Sequence, residues 1–292
     1  MDFETRAIHD GQEPDPATGA IVTPIYQTST YVQEAVGVHK GYDYARVANP
    51  TRSALQTALA SLENAEHGIA FSSGLGATTT LMHLVNPGER VVLIADVYGG
   101  VYRMTSQVYE PKGYVFDYVP APEFTNLADH LDGNTRMVWI ETPSNPLLNV
   151  VDIRAAAEAA HAVGAILVVD NTFATPYLQN PLDLGADAVV HSTTKYLGGH
   201  SDVVGGFVAT NDPTIAERLY FLQKSLGAVP GWPGADAFPP QPMVQQIRAV
   251  LTEYEARGGS VEMTIYEESG HFPPLDARER WSQQFFAFLE AA

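Results

Sequence analysis

Between residues 50 and 226, helix-period segments alternate with short β-branched runs, and this alternation restricts the chain to a mostly parallel sheet with helices packed on it. The strand-like runs fall at 91–95, 114–119, 137–141, 166–170, 188–191 and 207–210. A first helix starts near Pro50, after Asn49; Leu55, Leu59 and Leu62 share one face, and Gly68 reads as its stop. Residues 153–161 are alanine-rich and helical, with Gly164 as a cap, so the flanking runs form a βαβ unit. No internal repeat or low-complexity tract interrupts the pattern.

The pattern ends abruptly. Of the fourteen residues 227–240, seven are glycine or proline, a density that stops regular structure. A boundary is expected there, dividing an N-terminal arm (1–50), a large domain (51–230) and a tail (231–292). In the tail, a helix over 243–256, a strand over 261–267 and a last helix presenting Trp281, Phe285, Phe288 and Leu289 are expected. The 292 residues are enough to bury a sizeable core, and 45% hydrophobic with 17% charged residues suits a folded globular protein.

Charge and cysteine content narrow the function. Sixteen basic residues against 34 acidic ones leave a net charge of −18, which opposes attraction to nucleic acid or anionic lipid. The absence of cysteine removes disulfides, thiolate metal sites and thiol nucleophiles together. The polar start of the sequence and the lack of any apolar run of about 18 residues point to a cytoplasmic protein with neither nucleic acid nor membrane as partner. The nine histidines form no recognisable ligand pair, so no metal is expected.

The strongest chemical signal is DAVVHSTTKYLGGHS, residues 187–201, where a buried-strand pattern runs into Ser192, Thr194 and Lys195. Two hydroxyls can hold a phosphate while the lysine amine forms a Schiff base with an aldehyde on the same small molecule, as pyridoxal phosphate requires. Asp170 ends another apolar run, at the sheet edge where open α/β folds place ligands. A carboxylate there can pair with a pyridinium nitrogen and keep the ring an electron sink, although alone it could equally cap the next turn. Gly74 and Gly76, between a strand and a helix, leave backbone N–H groups suited to a phosphate, and Tyr98 could stack on a planar ring.

Taken together, YDYARVANPTR (42–52), FSSGLGA (71–77), DVYGGVYR (96–103), ETPSNPLL (141–148), VVDNTFATP (168–176) and HSTTKYLGGHSDVVGG (191–206) resemble the trans-sulfuration (Cys/Met metabolism) pyridoxal-phosphate enzymes over about residues 5–230. These include the cystathionine gamma-synthases and gamma-lyases. The resemblance implies an aspartate aminotransferase-like, fold type I large domain and pyridoxal 5′-phosphate as cofactor. It implies that Lys195 bonds the cofactor and shuttles protons, that Asp170 holds the ring nitrogen, and that Tyr98 stacks on the ring and assists proton transfer. Asn145 would lie near the phenolic oxygen, and Gly74, Leu75, Ser192 and Thr194 at the phosphate. Tyr44 and Arg46 would reach the phosphate of a neighbouring subunit, implying a homodimer or homotetramer. The expected reaction is γ-replacement or γ-elimination on an amino-acid substrate.

Beyond about residue 230 the resemblance stops, so the large domain reads as truncated and no arginine is assigned to a substrate carboxylate. The tail instead resembles the end of an α/β-hydrolase, with Asp236 and His271 in the places of a triad acid and histidine. No G-x-S-x-G elbow occurs to supply a nucleophile. A serine-type hydrolase fragment and a noncatalytic chimera that binds pyridoxal phosphate therefore stand as alternatives.

Overall fold

The structure, a computed structural model, describes residues 2–35 and 37–225. The helix expected over 243–256, the strand over 261–267, the aromatic last helix, and Asp236 and His271 lie outside the described residues.

After a short helix α1 (Phe3–His9) and an extended arm, the chain enters α2 (Pro50–Leu62). Asn49 caps α2 by accepting from the Thr51 N–H, with Pro50 at the first position, where its missing N–H costs nothing. Then follow β1 (His67–Phe71), α3 (Gly74–Met82), β2 (Arg90–Ile94), α4 (Gly99–Met104), β3 (Val115–Val119) and β4 (Thr135–Glu141). The chain continues through α5 (Ile153–Ala162), β5 (Ile166–Asp170), the single turn α6 (Thr175–Leu178), β6 (Ala188–His191), β7 (Gly206–Thr210) and α7 (Pro213–Ser225). Asp152 caps α5 through the Ala155 N–H, and Gly164 takes a positive φ of 79° after its end, as the alanine-rich pattern predicts.

The strands form one sheet in the order β1-β7-β6-β5-β4-β2-β3. Pairing is parallel from β3 through β6, whereas β7 is antiparallel to both β6 and β1. Both faces are covered. On β6, Val189 joins Leu59, Ala60 and Leu62 of α2, while its neighbours Ala188 and Val190 belong to the larger core on the other face. Val91, Val92, Leu93 and Ile94 are fully buried, which accounts for continuous apolar runs in place of alternating ones.

Two details of α2 differ from the sequence expectation. The helix stops at Leu62, with Asn64 in a left-handed turn, and Gly68 lies inside β1. A Cβ on Gly68 would stand 2.5 Å from the Gln56 carbonyl, so the glycine permits close helix–strand approach and does not end the helix. Leu55 is 49% exposed because the apolar cluster beneath α2 gathers only its later residues, Leu59, Ala60 and Leu62. Among the described residues, no helix is long and apolar enough to cross a membrane.

Candidate active site

Strand order reverses between β2 and β4: β3 lies on one side of β2, and β4, β5 and β6 follow one another on the other side. The loops leaving the carboxyl ends of β2 and β4 diverge at such a point and open a crevice. A cavity of about 230 Å³ occupies it, lined by residues from five segments: the start of α3, the β2–α4 loop, and the segments following β4, β5 and β6.

Each wall has a local cause. Ser73 caps α3, its hydroxyl accepting the Gly76 N–H at 3.0 Å, which leaves the earlier N–H groups of Gly74 and Leu75 unspent by the helix. A Cβ on Gly74 would meet the Ser192 Cβ at 2.8 Å, and one on Gly206 would meet the Ser73 carbonyl at 2.1 Å. Glycine at both positions lets this helix start press against the chain leaving β6 and the head of β7. Opposite, the Tyr98 backbone breaks from extended geometry into α4, and a Cβ on Gly100 would stand 2.4 Å from the Tyr98 ring. The ring therefore lies across Gly100, 43% exposed and on the cavity wall.

The segment after β4 is pinned to the end of β2. Asp96 accepts hydrogen bonds from the Ser144 hydroxyl and, at 2.8 Å, from the Asn149 side-chain amide, while the Asn149 N–H donates to Ser144 Oγ at 2.9 Å. Asn145 reaches the cavity from the middle of this braced loop. Behind the floor, His191 and Glu63, each 1% exposed, pair with one another, and the Asn171 amide donates to the same Glu63 oxygen at 2.8 Å. This buried group ties the end of α2 to the residues following Asp170 and preceding Ser192.

Two carboxyl groups face the cavity from adjacent strands. Glu141 and Asp170 are partners in the parallel register of β4 and β5, and each is the last residue of its strand. Asp170 Oδ1 accepts the Thr172 N–H at 3.0 Å, and Glu141 Oε2 accepts the Tyr98 N–H at 2.7 Å. Burial, against the smaller pull of the Thr172 hydrogen bonds, holds Asp170 above the usual carboxylate range. Burial, with the neighbouring Asp170 charge next in size, lifts Glu141 to about 8. Among the described residues neither acid forms an ion pair with a side-chain cation. A ligand that brings a cationic ring nitrogen to this floor and a phosphate to the α3 start and Ser192 fits the donors and acceptors present. Lys195 completes the wall, its chain turned back by the Lys195 N–H donating to the Ser192 carbonyl at 3.1 Å.

Of the ten residues that the resemblance assigns to the cofactor, Gly74, Leu75, Tyr98, Asn145, Asp170, Ser192, Thr194 and Lys195 line this one cavity, whereas Gly76, read from the sequence beside Gly74, does not. The Thr194 hydroxyl is engaged with the Gly205 peptide, accepting its N–H at 3.1 Å and donating to its carbonyl at 3.2 Å. Tyr44 and Arg46 do not line the cavity; they lie in the N-terminal arm, with the Arg46 guanidinium 4.9 Å from the centre of the Tyr44 ring. Sequence reasoning passed over Thr172, Phe173 and, above all, Glu141. Glu141 carries the same signal as Asp170, an acid that ends an apolar strand run.

The residues 4–238 match the model of the family described as Cys/Met metabolism PLP-dependent enzyme. The chain is 53% identical over 229 residues to a probable cystathionine gamma-synthase of Herpetosiphon aurantiacus, covering 78% of this chain and 72% of that protein. It is 49% identical over 231 residues to the cystathionine gamma-lyase of Bacillus subtilis, covering 79% and 61%. Among solved structures, metB from Corynebacterium glutamicum superposes with a TM-score of 0.77 at 48% identity, over 79% of this chain and 60% of that one. The match thus spans about three fifths of the length of the latter two proteins. With a family model matched over most of its length and a relative this similar, the chain belongs to the Cys/Met metabolism PLP-dependent enzyme family.

Proposed function

We propose that the cavity holds pyridoxal 5′-phosphate and that the chain is a trans-sulfuration enzyme, acting by γ-replacement or γ-elimination on a sulfur amino acid or an acylated homoserine. The observation that carries this reading is the convergence of Lys195, Asp170, Tyr98 and the α3 start on one crevice from four separate parts of the sequence. When bound, the cofactor supplies an aldehyde for amino groups and a ring that accepts the electron pair left by a departing proton.

The chain's residues do the remaining work. Lys195 would hold the cofactor through its Nζ, condensing with the aldehyde carbon with loss of water, and after the substrate amine displaced it would carry protons to and from the substrate's carbon atoms. Asp170, as the carboxylate, would pair with the ring nitrogen and keep it protonated. Tyr98 would flank the ring, and Asn145 would donate to the cofactor's phenolic oxygen. The Gly74 and Leu75 N–H groups and the Ser192 hydroxyl hold the phosphate with the positive end of the helix dipole behind them. Thr194, occupied by Gly205, serves this cradle by fixing the turn that carries Lys195. Tyr44 and Arg46 act in the cavity of a second copy, which makes the working unit at least a dimer and, in our reading, a cytoplasmic one. The serine-type hydrolase alternative finds no support in the family match.

The test uses the full chain with added pyridoxal 5′-phosphate. Visible absorbance that shifts on addition of cystathionine, with release or exchange of the γ-substituent, supports the proposal. A protein that takes up no cofactor refutes it.

A further inference from the structure

We propose that Glu141 is a positioning residue of this cavity: it sets where the Tyr98 ring stands by holding the Tyr98 peptide. The inference deepens the reading of the cavity as a pyridoxal-phosphate site and rests on it. Tyr98 stands where the chain turns into α4, and its N–H precedes the helical ladder and has no use within it. Glu141 Oε2 accepts that N–H at 2.7 Å, while the Tyr98 carbonyl accepts from Val101 at 2.8 Å and from Tyr102 at 3.2 Å. With both sides of the residue held, only the side-chain torsions remain, and the ring settles across the bare Cα of Gly100. The acceptor reaches Tyr98 from β4, across the reversal in strand order that opens the crevice.

An acid in this place is an unusual choice. Glu141 is 4% exposed, faces Asp170 from the next strand, and has Asp96 nearby on the β2 side. Burial and those charges favour its neutral form, which still accepts the Tyr98 N–H and leaves Asp170 as the anion for a ring nitrogen. The side chain therefore has the reach and the acceptor that the Tyr98 peptide needs.

A double-mutant cycle separates this role from general support of the fold. Pyridoxamine 5′-phosphate, which has the ring and phosphate but no aldehyde, is titrated by calorimetry into the full chain and into Glu141→Gln, Glu141→Met, Tyr98→Ala and Glu141→Met/Tyr98→Ala. Glu141→Met is expected to weaken binding roughly tenfold, and Glu141→Gln, which keeps an acceptor of the same length, to recover it to within about threefold. In the Tyr98→Ala background the Met substitution should cost nothing further. If Glu141→Met does not fold, Glu141→Asp, one methylene short of the Tyr98 N–H, takes its place in the cycle with the same expected sign. Equal losses in both backgrounds, or no loss in the parent, would overturn the role of Glu141 while leaving the cofactor site standing. A parent chain that binds no pyridoxamine 5′-phosphate would overturn the site reading and this inference with it.

Discussion

Asp170 and Glu141 show how position decides what a carboxyl group does. Both end apolar strands at the same end of the sheet, Glu141 buried and Asp170 half-buried, and both are held above the ordinary carboxylate range. Each accepts a backbone N–H that favours its charge, Asp170 from the nearby Thr172 and Glu141 from Tyr98 on the far side of the crevice. Asp170→Asn should therefore slow turnover by about two orders of magnitude or more while leaving the melting temperature close to that of the parent, since an amide cannot hold the ring nitrogen protonated. Steady-state kinetics beside thermal melts checks this, and full turnover in the variant would contradict it. For Glu141 the sign of the pH effect follows from its raised value. The stability it contributes is fully present below its unfolded value of 4.5 and is lost as pH rises through about 8. Glu141→Gln should accordingly be more stable than the parent at pH 8.5, by a few kcal/mol at most, and show a flatter melting profile between pH 5 and pH 8.5. Asp170, also raised, keeps its own share of the slope in that variant. The sequence made Lys195 and Asp170 legible because their surroundings are chemically specific. Glu141 carries the same strand-end signal, but its role was hidden because its partner is a backbone N–H more than forty residues away.

At the level of elements, the strand runs and the helices α2 and α5 could be read directly, since Asn49, Pro50 and Gly164 act within a turn of where they stand. Strand direction could not. Whether β7 runs with or against β6 depends on the path of residues 192–205, and neither propensity nor period encodes that path. Close packing was equally hidden: Gly68 looks like a helix stop until β1 is seen lying against Gln56. Gly100 is the same kind of residue at the site. Gly100→Ala would ordinarily favour α4 by up to about 1 kcal/mol through lower backbone entropy. Here the new methyl group, 2.4 Å from the Tyr98 ring, pushes the ring from where it stands. The expected outcome is a melting temperature near the parent's with cofactor affinity reduced several-fold, read from fluorescence titration. Unchanged affinity would show that the ring has no need of the bare Cα.

On the scale of the whole molecule, eight of the ten residues that the resemblance assigns to the site meet in one cavity, and the two that do not, Tyr44 and Arg46, share the N-terminal arm. Apolar side chains stand exposed along that arm, at Ile21, Ile25 and Val32, and beside the site at Leu147, Tyr177, Leu178 and Tyr196. A second copy that covers such surface and receives the arm would explain both facts. Mixing Arg46→Ala chains with Lys195→Ala chains should then restore activity that neither has alone, because a mixed dimer contains one cavity with both residues intact. Failure to complement, with sedimentation showing mixed dimers, would place Arg46 outside the site. The sequence contains only four lysines, Lys40, Lys112, Lys195 and Lys224, and Lys195 alone lines the cavity. Borohydride reduction of the chain loaded with pyridoxal 5′-phosphate, followed by peptide mapping, should place the stable pyridoxyl label on Lys195, and a label on any of the other three lysines with none on Lys195 would contradict the account.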